Sequence, residues 1–344
     1  MNRIFKWLSV SLVISFISIV LLLVFTVDTT TIDAVLNIKK EAIVAAIALQ
    51  LFSYVVWGLR TKFMCQSLGH DIKALKTIEI AISSLLVAAV TPSSAGGEAL
   101  RIHLLSKNAI PIGKATAVVV GERLTDAFLI LLIAPFALYI LRGFFPEGNF
   151  DMLLIAGELF IFIILGMLTY AIWKPNKTRS TIHFFVNRTK RFHGRKTDEA
   201  LANVLKKVDV EMDHFQYSIR YFTKEGRKGL YYGTICTIVY RGTLYSILPV
   251  ILAGLGQPPE ILLSFMAQIL LTCLMIIPAT PGASGVAEFG ASSLFSIVIA
   301  TPSLIGITVL TWRALTYYMN IIVGGFISIK VLKDADIINE SIKK

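Results

Sequence analysis

Two helix-breaking loops inside apolar sequence constrain this chain more tightly than any other feature. Residues 91–101 read T-P-S-S-A-G-G-E-A-L-R, and the pattern returns at 280–288 as T-P-G-A-S-G-V-A-E. Proline lacks an N–H and glycine tolerates turn dihedrals, so each loop interrupts a helix that runs into it. In hydrocarbon such a break is tolerated only where the backbone is buried in protein or lines a cavity. The echo extends beyond the loops. Glu98 is followed 25 residues later by Arg123, Glu288 is followed 25 residues later by Arg313, and 288 − 98 and 313 − 123 both give 190. Two charged landmarks at one displacement imply an internal duplication, each copy holding an interrupted helix with charge beside the break.

Composition sets the medium. The 344 residues are 55% apolar and 16% charged, with a mean hydropathy of +0.72, far from the soluble globular norm. A polytopic protein of the cell membrane is expected. The net charge of +11 is concentrated beside apolar segments, where orientation and anionic headgroups account for it better than nucleic acid does. Membrane lipids, and no nucleic acid, are the expected partners. Cys65, Cys236 and Cys273 have no paired spacing, and the five histidines offer no ligand spacing, so no disulfide framework, metal or cofactor is expected.

Taken in order, Arg3 and Lys6 precede an apolar run at 7–27, too long for a signal-peptide core, which is expected to be the first span with the N-terminus cytoplasmic. A second span at 42–59 ends at the basic group Arg60, Lys62, Lys73 and Lys76. Two short arms follow, 77–90 and 98–107, which reach about 21 Å and about 15 Å as helices and so fall short of a core of about 30 Å. They fit one broken span or a re-entrant hairpin. Spans at 113–141 and 151–173 lead to residues 174–228, which hold 14 Lys or Arg against 6 Asp or Glu and belong inside. Only a hairpin, returning to the side it left, puts them there. The second half repeats the order, with a span at 230–253, arms at 261–279 and 286–300, and a span at 303–331 leading to a cytoplasmic C-terminus.

The expected fold is therefore an all-α polytopic membrane domain over residues 1–344. It has about six full spans and two Pro/Gly-broken re-entrant hairpins, arranged as inverted-topology repeats at 42–141 and 230–331. Within the basic insert, Leu201, Leu205, Val208, Met212, Phe215, Ile219 and Phe222 form an amphipathic stripe. It suits a helix packed on a neighbour or on the inner leaflet. A homodimer contact, or docking of a transferase partner through 197–222, is the alternative.

Buried ionisable groups cost roughly 2.5 to 3.5 kcal/mol each on insertion scales, so each needs a partner or a task. The shared spacing pairs Glu98 with Arg123 and Glu288 with Arg313. Such pairs either clasp each hairpin to the long helix after it or line a polar path through the bilayer. Glu122 and Asp126 share a helix face beside Arg123, Arg101 follows Glu98 by three, and Arg241 sits mid-span with no opposite charge near it in sequence. The loop residues Pro92, Gly96 and Gly97, and Thr280, Pro281, Gly282 and Gly285, place free N–H groups at helix starts, where an anion such as phosphate binds readily. Tyr317, beyond Arg313, is a packing residue or a contact.

These motifs resemble the transmembrane region of lysylphosphatidylglycerol synthase, a flippase-like family of integral membrane proteins. The resemblance rests on Pro92 to Glu98, on Glu122-Arg123-Leu-Thr-Asp126, on Thr280 to Glu288, and on Arg313 with Tyr317 and Tyr318 downstream. It implies translocation of an anionic or modified lipid, a phospholipid or a polyprenyl-linked carrier. In the best-known members the region is fused to a soluble aminoacyl-transferase domain, for which a chain ending at Lys344 leaves no room. A membrane partner for a glycosyl- or aminoacyl-transferase is a second expectation, and an intramembrane transferase a third. No nucleotide loop or nucleophile–base pair is visible, so no catalytic activity is expected.

Overall fold

The computed structural model describes residues 29–91, 95–144, 220–222, 226–276 and 280–342, with isolated positions between 13 and 24 and between 159 and 180. The expected spans at 7–27 and 151–173, the amphipathic stripe at 201–219 and the break residue Pro92 lie outside these residues, apart from those isolated positions. The described residues are helical and contain no strand. A short α1 (Thr29–Leu36) leads into α2 (Lys40–Ser67), followed by α3 (Ala74–Val90), α4 (Ala95–Lys107) and α5 (Ile112–Leu141). The second half runs α6 (Arg227–Tyr245), α7 (Ile247–Gly254), α8 (Ile261–Ile276), α9 (Val286–Phe295), α10 (Ile305–Arg313), a π turn (Ala314–Tyr318) and α11 (Met319–Ile342).

Among the described residues, four stretches are long and apolar enough to cross a membrane, at Lys40–Ser67, Ile112–Phe144, Arg227–Gly254 and Pro302–Val331. The surface is apolar where a soluble protein would be polar. Val44, Phe128, Leu132, Phe136, Ile238 and Phe326 are exposed, whereas Gln50, Arg60, Arg101, Glu122 and Arg313 are buried. That inversion is what a hydrocarbon solvent selects.

The expected second span stops at Leu59, but α2 continues eight residues further. Thr61, Met64 and Cys65 keep its buried face going past the basic flank, so Arg60 lies inside the helix and inside the protein. The helix stops where Gly69 takes a left-handed φ of 81° and its N–H returns to the Gln66 carbonyl.

Helices α2 and α6 pack on each other in opposite directions. Gly229 of α6 lies against Ser67 of α2, Gly233 against Met64, Thr237 on Arg60, and Gly254 of α7 against Ala42. Partners are also exchanged between halves. The first arm α3 packs on the last helix α11, where the Ser328 hydroxyl donates to the Ser83 carbonyl at 2.7 Å, and the corresponding arm α8 packs on α5. Within each half the arms fold back on one another, α3 on α4 and α8 on α9. A Cβ on Gly97 would come within 2.8 Å of the Ser84 carbonyl oxygen, so the first pair of arms meets through that glycine.

Candidate functional site

Glu122 is the centre of a buried charge cluster. It lies on α5 with no exposed surface, and one face of α2 supplies three of its donors, because Trp57, Arg60 and Thr61 are spaced by three and four. The Trp57 indole donates to Glu122 Oε2 at 3.1 Å, Arg60 Nη2 to the same oxygen at 3.0 Å, and the Thr61 hydroxyl to Oε1 at 2.7 Å. Arg101, on the returning arm α4, donates to Oε2 at 2.7 Å and to the Thr61 hydroxyl at 2.8 Å. One turn along α5, Asp126 accepts from Arg60 Nη1 at 3.2 Å and from Arg241 Nε of α6 at 3.3 Å. Aromatic faces complete the cluster. Arg101 lies over Trp57 at 4.9 Å, while Arg60 and Arg241 lie over Tyr240 at 5.5 and 5.8 Å.

The Arg241 carried by the second half therefore finds its partner in the first. Arg101 pairs with Glu122, not with Glu98 three residues earlier on its own helix. The cross-helix contact prevails because it is desolvated, whereas an i,i+3 pair on one helix contributes only about 0.2 to 0.5 kcal/mol. Sequence reading missed Arg60, which it assigned to the basic flank. Its signal was helical spacing, since 50, 54, 57 and 61 fall on one stripe and Arg60 adjoins it.

Both Glu–Arg pairs expected from the repeat form, but in different surroundings. Arg313 Nε meets Glu288 Oε1 at 2.9 Å with both side chains buried, and Tyr317 lies under the guanidinium at 4.0 Å. Arg123 Nε contacts Glu98 Oε1 with their side chains 45% and 31% exposed.

Two of the N–H groups expected to be free at the breaks have acceptors. The Gly96 N–H donates to the Thr91 hydroxyl at 3.1 Å, and the Gly285 N–H to Glu288 Oε2 at 2.6 Å. Each break caps its returning helix from within, so those two donors are not offered to an anion. Thr280 closes its loop by donating to the Ser284 carbonyl at 2.6 Å. Pro281 opens a single 3-10 turn in which Gly282 takes a φ of 61°, and Gly285 follows at 88°, conformations that favour glycine. A Cβ on Gly282 would lie 2.6 Å from the Tyr317 ring and 2.9 Å from the Ala89 carbonyl oxygen. The second break thus touches the end of α3, two residues before the first break begins at Thr91.

Beyond Tyr317, Asn320 accepts from Gln50 Nε2 at 3.0 Å and from the Tyr54 hydroxyl at 2.6 Å. Gln50, Tyr54, Trp57, Arg60 and Thr61 thus form one buried polar face of α2, running from Asn320 in the second half to Glu122 in the first.

The sequence matches the family described as "Lysylphosphatidylglycerol synthase TM region" over residues 8–324, which takes in every residue of the cluster. The chain belongs to that family. Similar proteins include a UPF0104 membrane protein of Archaeoglobus fulgidus, 29% identical over 286 residues, covering 82% of this chain and 84% of that one. Another is the UPF0104 membrane protein MJ1595 of Methanocaldococcus jannaschii, 24% identical over 331 residues and covering 94% and 95% of the two chains. With the four membrane-length helices, membership makes this a multi-pass membrane protein of lipid-related kind.

Proposed function

We propose that the protein moves a lipid with an anionic headgroup across the membrane, acting as a flippase-like transporter rather than an enzyme. The observation that carries this reading is the Glu98–Arg123 pair. Arg123 stands about 17 Å along α5, within the depth of a span, yet its side chain and that of Glu98 are only partly covered by protein. A half-exposed ion pair at that depth is costly against hydrocarbon, so its open side faces water or a headgroup. Behind it lies the buried cluster on Glu122 and Asp126, and the polar face of α2 continues toward Asn320.

The antiparallel packing of α2 on α6 and the exchange of arms between halves support an inverted-repeat arrangement, in which paired hairpins rock about a central site. In this reading α3–α4 and α8–α9 are re-entrant hairpins, and both termini face the cytoplasm. Impermeant labelling of a Ser180→Cys variant in intact cells contradicts that orientation.

The test of function is reconstitution. Vesicles containing the purified chain and a fluorescent phosphatidylglycerol in both leaflets are treated with an impermeant quencher. Fluorescence is expected to fall well below the level left by protein-free vesicles. Quenching that stops at the same level in both defeats the reading.

A further inference from the structure

Among the described residues, the cluster on Glu122 is not electrically balanced. Arg60, Arg101 and Arg241 bring three positive charges to it, and Glu122 and Asp126 return two negative ones, while the adjoining Arg123 and Glu98 cancel each other. Arg60 and Arg101 are each 2% exposed, and the Nε–H of each is buried without a partner. Both guanidiniums donate an Nη2 to one oxygen, Glu122 Oε2, so the two arginine forks converge on one carboxylate. A buried donor without an acceptor and a net excess of one positive charge in a buried cluster are each costly, and together they suit an oxygen acceptor carrying one net negative charge.

We infer that Arg60 and Arg101 form a binding site for a single phosphate-type oxyanion, held through their Nε–H groups beside Glu122. A phosphodiester carries one negative charge and offers two equivalent oxygens, which suits two guanidinium forks better than a spherical halide does. Neither Nε has surface open to solvent, so the site fills as the cluster parts. Arg241, with a side chain 16% exposed and the longest contact of the set, is its outer member. Trp57 covers one face of the Arg101 guanidinium at 4.9 Å. This inference rests on the translocation reading for its biological meaning, because the oxyanion is then the headgroup group that crosses the membrane.

The experiment follows thermal unfolding of the full chain in nonionic detergent with gluconate as the only background anion. Four probes are titrated separately: dihexanoylphosphatidylglycerol, dihexanoylphosphatidylcholine, inorganic phosphate and chloride. A ligand that binds only the folded protein raises Tm in a saturable way. The anionic lipid and inorganic phosphate are expected to raise Tm by several degrees, the zwitterionic lipid and chloride to have little effect. Whichever active probe works at lower concentration identifies the source of the oxyanion. Arg101→Lys keeps the charge toward Glu122 but removes the fork, so the affinity is expected to fall about tenfold. Arg60→Lys serves as the second variant if that protein does not fold. No rise with any anion, an equal rise with chloride, or unchanged affinity in the lysine variant overturns the site. A confirmed site in a protein that moves no lipid leaves the site standing and removes the transport reading. Lipid movement without an anion effect does the reverse.

Discussion

Glu98–Arg123 and Glu288–Arg313 have the same separation in sequence and the same chemistry, but they are built for different ends. The second pair is sealed. Glu288 holds the Gly285 N–H with one oxygen and Arg313 with the other, Arg313 Nη2 reaches the Gly282 carbonyl at 3.4 Å, and Tyr317 closes the far side. These contacts join the break, the returning helix and the π turn of the last span into one unit. The first pair is open, and the charges beside it have no counterpart in the second half. At the displacement of 190, Arg101, Glu122 and Asp126 correspond to Ala291, Trp312 and Thr316. In our reading the two halves are duplicated scaffolds, of which one kept a clasp and the other acquired the charges that act on a ligand.

The largest expected effect is on the sealed side. Arg313→Gln leaves Glu288 buried without its charge partner and should destabilise the protein by about 3 to 5 kcal/mol, read as lost monodisperse protein in detergent. Next come the breaks themselves. Gly285→Ala forces a side chain to a φ of 88° and should cost about 1 to 3 kcal/mol in thermal unfolding, whereas Gly96→Ala, inside α4 and facing the Thr91 side chain, should cost less. Equal losses at the two glycines would show that the breaks share one conformational demand and blur the contrast. The smallest effect belongs to the open pair. Arg123→Gln should change stability by no more than about 1 kcal/mol, as expected of a solvent-screened pair. The charge swap of Glu98→Arg with Arg123→Glu should fold equally well and still fail to move lipid, since it displaces the positive charge. Recovery of transport in the swap would make this pair a clasp as well.

Much of this was legible in the sequence because spacing carries it. Hydropathy located α3, α4, α5 and α8 within a few residues, ended α2 eight residues short and read α6 and α7 as one span, while the repeated 25-residue step joined Glu288 to Arg313 and Glu98 to Arg123. What failed was information that tertiary packing adds. Arg60 stands at the end of an apolar run, where a membrane flank and a buried cluster have the same local pattern, and only the helix's continuation to Ser67 separates them. Arg101 has a carboxylate three residues away and another 21 residues away, and burial rather than proximity in sequence decided between them. The capped N–H groups were readable in principle, since Glu288 stands three residues after Gly285 as in a capping box. The π turn after Arg313, which sets Tyr317 under the guanidinium, has no sequence signature that marks it.

The most direct measurement is lipid translocation per folded molecule for Arg123→Gln and Arg313→Gln, reconstituted at matched amounts of monodisperse protein. If the first half carries the lipid-handling charges and the second half a clasp, Arg123→Gln should insert in full yield and lose most of its activity. Arg313→Gln should yield little protein, while the molecules that fold move lipid at close to the wild-type rate. Full activity in Arg123→Gln, or loss of activity in well-folded Arg313→Gln, would contradict that division of labour.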